Sequence, residues 1–135
     1  MNAVNAYLDT NLLVYLYSDT EPEKRKKILE TINQYERIVS TQVLNEFCNV
    51  CIRKMKVSTS EIVSSIEKIC LTCKVVIVQE ATVLIALRIN KKYGYSYYDS
   101  LMIASALESG CTYLFSEDMS DGQVIENRLT IRNIL

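Results

Sequence analysis

The sequence predicts a three-layer α/β/α sandwich with a central parallel sheet of four to five strands. Three observations carry that prediction. Short apolar runs alternate with longer segments whose apolar residues recur at helical spacing. Capping residues and glycines mark where several of those segments begin and end. Strands that alternate with helices imply parallel pairing, with both faces of the sheet covered.

Taken in order, Val4 to Leu8 is an apolar run ending at Asp9 and reads as a buried strand. Helical patterning follows from Thr10 to Tyr17. Thr20 and Glu23 have the spacing of a capping box around Pro22, opening a polar helix through Tyr35. Arg37 to Ser40 is a second short strand. Thr41 to Met55 carries Val43, Leu44, Phe47, Cys48, Cys51, Ile52 and Met55 on one helical stripe. Ser58 and Glu61 form another capping box, starting a helix that runs toward Cys73. Val75 to Val78 is β-branched throughout and makes the third strand. A helix from Glu80 to Lys92 precedes Gly94, and Ser96 caps a helix from Tyr97 to Glu108 that Gly110 terminates. Tyr113 to Phe115 is the fourth strand, with a fifth at Leu129 to Ile134.

Composition narrows the function. At 135 residues the chain reads as a single domain, 1–135, able to bury roughly two-thirds of its unfolded surface. Apolar residues make up 49%, charged residues 23%, and there are three Gly and one Pro, which argues against disorder. No apolar run approaches the ~20 residues of a bilayer span. The start, Met-Asn-Ala-Val-Asn-Ala, lacks the features of a secretory signal, so a cytoplasmic location is expected. Five Cys fit a reducing compartment. Histidine is absent, which excludes Ser-His-Asp and Cys-His catalysis and every imidazole metal site. Net charge is −1, although the 15 basic residues outnumber the acids once four candidate site acids are set aside.

Those four are Asp9, Glu46, Asp99 and Asp118. In a parallel sheet, ligands bind beyond the carboxyl ends of the strands at a topological switch point. Asp9 ends the first strand and Asp118 stands just past the fourth. Glu46 lies within an apolar helix, where Gln42, Asn45 and Asn49 are available as polar support. Asp99 is three residues after Ser96. Each also has a purely structural reading: Asp9 as an N-cap, Asp118 as a loop residue, Glu46 on a solvated helix face, Asp99 as a first-turn acid favoured by the helix dipole. Gathered carboxylates repel and their pKa values rise unless a cation neutralises them. An all-oxygen set without His suits Mg²⁺ or Mn²⁺ rather than Zn²⁺, and such an ion completes its shell with substrate phosphate.

The motifs around these acids resemble one family. Leu8-Asp9-Thr10-Asn11 after an apolar strand is similar to the opening motif of PIN-domain nucleases, and Asn45-Glu46-Phe47 to their second acidic motif. Tyr97-Tyr98-Asp99-Ser100-Leu101-Met102-Ile103-Ala104-Ser105-Ala106 resembles the third and is the most specific. Ser116-Glu117-Asp118-Met119 resembles the fourth. Size and the Gly94-to-Asp99 stretch point further, to VapC-type toxins of toxin–antitoxin pairs. The resemblance implies a PIN-like fold and a metal-dependent endoribonuclease, inhibited by a small antitoxin protein and usually a homodimer. It carries the four acids over as metal ligands and catalytic residues, with Asn11 and Ser116 as accessory positions. Asp121 and Glu117 flank the fourth acid and leave its identity open, Asp121 being a possible helper. The implied mechanism is in-line attack of a metal-activated water on an RNA phosphodiester. Asp9 and Asp99 lead the coordination, Glu46 holds the ion directly or through a water, and Asp118 completes the site or assists a second ion.

Rival readings remain. Cys48-x-x-Cys51 and Cys70-x-x-Cys73 satisfy a four-cysteine zinc pattern. Both pairs continue helical apolar stripes, however, and a hairpin about Val57 would place Cys48 near Glu67 and the second pair beside Asn45 and Gln42, so core packing is preferred. An aspartyl-phosphate enzyme would want a second Asp where Asn11 stands, and a receiver would want paired acids and a late Lys that are missing. A binding role without catalysis, and a nuclease that is not a toxin, complete the alternatives. For RNA contact the chain offers Lys24-Arg25-Lys26-Lys27, Arg53-Lys54-Lys56 and Lys91-Lys92, which otherwise form solvated helix faces. Tyr93, Tyr95, Tyr97 and Tyr98 are candidates for base stacking, ranked below internal packing.

Overall fold

A computed structural model describes residues 3–135, so Met1 and Asn2, the start of the segment read for a signal, lie outside it. The elements in chain order are β1 (Asn5–Leu8), α1 (Thr10–Leu16), α2 (Pro22–Ile32), β2 (Glu36–Ser40), α3 (Thr41–Arg53) and α4 (Thr59–Thr72). After them come β3 (Lys74–Val76), α5 (Glu80–Tyr93), α6 (Tyr97–Glu108), β4 (Tyr113–Phe115), β5 (Val124–Ile125) and β6 (Leu129–Arg132).

The sheet has the order β3-β2-β1-β4-β6-β5. The first five of these pair in parallel, which is the expected sheet, and β5 adds an antiparallel edge against β6. The sequence reading missed β5. Its two residues give no periodicity, and its turn to β6 runs through Glu126 and Asn127, both at positive φ. That primed geometry is one that Asn-Gly usually announces. The centre of the sheet is β1, where Tyr7 registers with Ile38 on one side and Leu114 on the other. Tyr7, Leu8, Leu114 and Phe115 are fully buried, and the Tyr7 hydroxyl donates to Ser40 Oγ at 2.7 Å.

Chain order explains the layers. The path β1→β2→β3 steps one way across the sheet, whereas β3→β4 returns past β1. Right-handed crossovers then put α1–α4 on one face and α5 and α6 on the other. On that second face α6 is buried along Ser100–Leu107, an apolar cylinder between the sheet and α5. Because β1 and β4 are neighbours whose connections leave in opposite directions, their carboxyl ends frame the switch point.

Local signals set most helix ends. Ser96 Oγ accepts from Asp99 N–H, as expected, and Ser58 Oγ accepts from Glu61 N–H, which is half of the expected box. Gly94 ends α5 at φ 78°, a left-handed conformation that costs glycine little. The expected Thr20–Glu23 box does not form: Pro22 occupies the first helical position, so Glu21 becomes the N-cap, one residue beyond Thr20. That helix also stops at Ile32, short of Tyr35, whose ring instead packs edge-on against Tyr113 and Phe115. Among the described residues no helix is long and apolar enough to cross a membrane.

Candidate functional site

Asp9 leaves the end of β1 and caps α1. Its Oδ1 accepts from Thr10 N–H at 2.6 Å, and its Oδ2 accepts from Ser116 Oγ at 2.7 Å. One oxygen of Asp9 thus caps α1 while the other ties it to the end of β4. Ser116, buried just past β4, also accepts from the N–H groups of Asp118 and Met119, both at 3.2 Å. Asn11 Nδ2 donates to Asp118 Oδ2 at 2.8 Å. One helical turn, Thr10–Asn11, thus reaches both Asp118 and, on its other side, Glu46.

Glu46 is reached because α3 packs across α1. Thr10 Oγ1 donates to Glu46 Oε1 at 2.9 Å, and Gln42 Nε2 donates to Oε2 at 2.8 Å. The same Gln42 nitrogen donates to the carbonyl of Tyr98 at 2.9 Å, immediately before Asp99. Of the three amides available as support, Gln42 serves Glu46, while Asn45 and Asn49 are exposed. The i, i+4 spacing from Gln42 to Glu46 is a legible signal. The Thr10 contact had none, since it spans 36 residues.

Electrostatics join the four acids. Burial pushes the Asp9 carboxyl up to about 6; the Ser116 and Thr10 hydrogen bonds pull it down, and the charges of Asp99 and Asp118 push it up further. Asp99 is also raised, first by burial, with Ser96 opposing and the charges of Glu46 and Asp118 adding to the rise. Their hydrogen-bond partners are hydroxyls, amides and backbone N–H groups. Neither ion pair among the described residues, Lys24–Glu117 or Lys92–Glu126, involves a quartet acid. An all-oxygen set with uncompensated negative charge fits a hard divalent cation. As the side chains stand, no three acids or thiols among the described residues converge on a single ion position. Asp9 and Glu46 have both oxygens turned to protein donors.

A family model for the PIN domain matches residues 6–120, a span that includes all four acids. The chain belongs to the PIN domain family. Solved structures share its fold. The Mycobacterium tuberculosis toxin VapC20 superposes with a TM-score of 0.68 at 16% identity, covering 84% of this chain and 91% of the other. A chain of a toxin–antitoxin complex from Klebsiella pneumoniae gives 0.73 at 14% identity, covering 96% and 98%. A chain of DNA-bound VapBC from Salmonella typhimurium gives 0.71 at 14% identity, covering 98% and 99%. No curated protein matches the chain significantly by sequence.

Around the four acids, the flanking candidates take other contacts. Glu117 accepts from the Tyr15 hydroxyl and from Lys24 Nζ at 2.9 Å. Asp121 Oδ1 accepts from Asn133 N–H at 2.9 Å, fastening the loop to the tail rather than to Asp9 or Asp118. Lys24 is committed to Glu117 and Tyr15, leaving exposed Lys26 and Lys27 of that basic run. Tyr93 and Tyr95 hydroxyls hold the Ser120–Glu126 segment, and Tyr97 packs against the Ala86–Leu101–Ala104 cluster. Of the four tyrosines, Tyr98 is the one with an exposed ring, next to Asp99. Cys48 shares an apolar groove with Ile62, Val63, Ile66 and Glu67, but Cys73 lies beside Arg37 rather than beside Gln42 as the hairpin register predicts. Cys51 is buried and Cys73 lines a separate cavity beside Arg37, but Cys70 is exposed, so core packing does not extend to it.

Proposed function

We propose that this PIN protein is a divalent-metal-dependent endoribonuclease acting as the toxin of a toxin–antitoxin pair. The observation that carries the reading is the set of four acids at the β1/β4 switch point. The carboxylates of Asp9, Glu46 and Asp118 are oriented by polar contacts, Asp99 is set at the start of α6 by its backbone cap, and none is neutralised by a cationic side chain. Support for the RNA substrate comes from the fold relatives, since VapC20 is described as a toxin that cleaves the sarcin–ricin loop. Support for an antitoxin partner comes from the toxin–antitoxin complexes among them. A homodimer, a cytoplasmic location and a single domain over 1–135 belong to the same proposal.

In this reading Asp9, Glu46, Asp99 and Asp118 hold Mg²⁺ or Mn²⁺, with Asp9 and Asp99 leading. Bound, the ion supplies Lewis-acid polarisation of the phosphate and a more acidic water. The residues themselves do the positioning. Ser116 and the Thr10 amide fix the Asp9 carboxylate, Thr10 and Gln42 fix Glu46, and Asn11 fixes Asp118. Glu46 would hold the ion directly or through a water and orient the attacking water. Exposed Tyr98 offers a base-stacking face at the mouth.

The test is incubation of the purified protein with labelled RNA, with Mn²⁺ and then with EDTA, beside Asp9→Asn. Cleavage that needs Mn²⁺ and is lost in the variant is expected. Cleavage that persists in EDTA, or in the variant, overturns the assignment.

A further inference from the structure

We propose that Gln42 is a positioning residue of the carboxylate site. It ties Glu46 to the backbone just before Asp99 and so sets where the Glu46 carboxylate sits beside a divalent cation. The inference rests on the metal-site reading above and adds a residue that the acidic motifs do not contain.

The amide orientation is decided by chemistry. Both partners of Gln42 Nε2, a carboxylate oxygen and the Tyr98 carbonyl, can only accept, so the NH₂ group must face them. The carbonyl oxygen is thereby turned elsewhere. Gln42 is 8% exposed, and its Oε1 is a buried side-chain oxygen without a hydrogen-bond partner among the described residues. Buried acceptors in folded proteins nearly always find a donor, so a glutamine here leaves one acceptor unpaired while its nitrogen makes two contacts. A leucine of similar size at this position would remove the unpaired oxygen, but it would leave Glu46 Oε2 without its donor and surrender the link between α3 and α6.

That link has a geometric consequence. Glu46 lies on α3, on one face of the sheet, and Asp99 opens α6 on the other. Gln42 bridges the two elements through a single nitrogen. Freed from it, Glu46 keeps only the Thr10 contact to hold its carboxylate. Partners that orient metal ligands typically set affinity by about 10- to 100-fold.

The experiment is titration of Mn²⁺ into metal-free protein, read by electron paramagnetic resonance of the free ion, for wild type, Asp9→Asn, Gln42→Leu, Glu46→Gln and the Gln42→Leu/Glu46→Gln double variant. Gln42→Leu should weaken Mn²⁺ binding by about tenfold or more while its circular dichroism stays that of the folded wild type. In the Glu46→Gln background the same substitution should change little, because the effect runs through Glu46. Should Gln42→Leu fail to fold, Gln42→Met, which keeps the length of the side chain, carries the same expectation. Undiminished Mn²⁺ affinity in a folded Gln42 variant, with Asp9→Asn losing it, overturns the role of Gln42 alone. A wild type that binds no Mn²⁺ overturns the metal site and this inference together.

Discussion

The Ser116 hydroxyl donates to Asp9 Oδ2 at 2.7 Å and so fastens the end of β4 to the end of β1, across 107 residues of chain. The same oxygen accepts from two backbone N–H groups of the loop that carries Asp118. One buried atom therefore positions two of the four acids. Ser116→Ala leaves those N–H groups and one Asp9 oxygen without their partner, at a cost of about 1–3 kcal/mol. Urea denaturation should read that loss, and an unchanged midpoint would remove Ser116 from this role.

Asp9 makes the metal-free protein sensitive to pH. Its folded-state pKa is raised from 3.8 to about 6, so the folded state holds the proton more tightly than the unfolded chain. The associated stability is fully present below the unfolded value and is lost as pH rises through about 6. A rise of that size corresponds to ~3 kcal/mol. Asp9→Asn, which keeps an acceptor for Thr10 N–H, should match wild type near pH 4 and exceed its stability by that order above pH 7. Parallel stability profiles would mean that burial of Asp9 is not what sets its titration.

Removing a quartet charge should separate activity from folding. Asp99→Asn and Glu46→Gln are expected to lower Mn²⁺-dependent RNA cleavage by on the order of 10²-fold or more, with circular dichroism unchanged. A variant that cleaves at the wild-type rate leaves the site.

The fourth acid can be settled by a direct comparison. Glu117 is engaged with Tyr15 and Lys24, whereas Asp118 is held by Asn11, a neighbour of Asp9. Cleavage should fall steeply in Asp118→Asn and stay close to wild type in Glu117→Gln. The reverse pattern would exchange their roles.

The cysteines should behave as packing residues of unequal depth. Cys51→Ser buries a new hydroxyl and should cost about 1–3 kcal/mol, while exposed Cys70→Ser should stay within ~0.5 kcal/mol of wild type. Equal losses in both, restored by added zinc, would bring the four-cysteine site back.

Signals that act within about one helical turn were legible along the chain. Ser58 and Ser96 could be read as caps, the helical stripe of α3 as buried, and Asp9, Glu46, Asp99 and Asp118 as acids near strand ends and helix starts. Alternation of strand and helix was enough for a parallel sheet covered on both faces, because a parallel pair needs a crossover and a crossover needs an element to cover it. Where Pro22 overrode Thr20, two local rules competed, and the fixed φ of proline at the first helical position prevailed.

Contacts between distant residues were decided by the tertiary structure. Nothing local pairs Thr10 with Glu46, joins Ser116 to Asp9, or turns Glu117 away to Lys24 while Asp118 stays with Asn11. Strand order decides them: placing β4 beside β1, rather than beyond β3, brings the two loop ends together at the switch point. The sequence by itself determined which acids there are and which element each one leaves. Packing determined which donor meets the Asp9, Glu46 and Asp118 side chains, because Ser116, Thr10 and Asn11 are brought to them from distant parts of the chain.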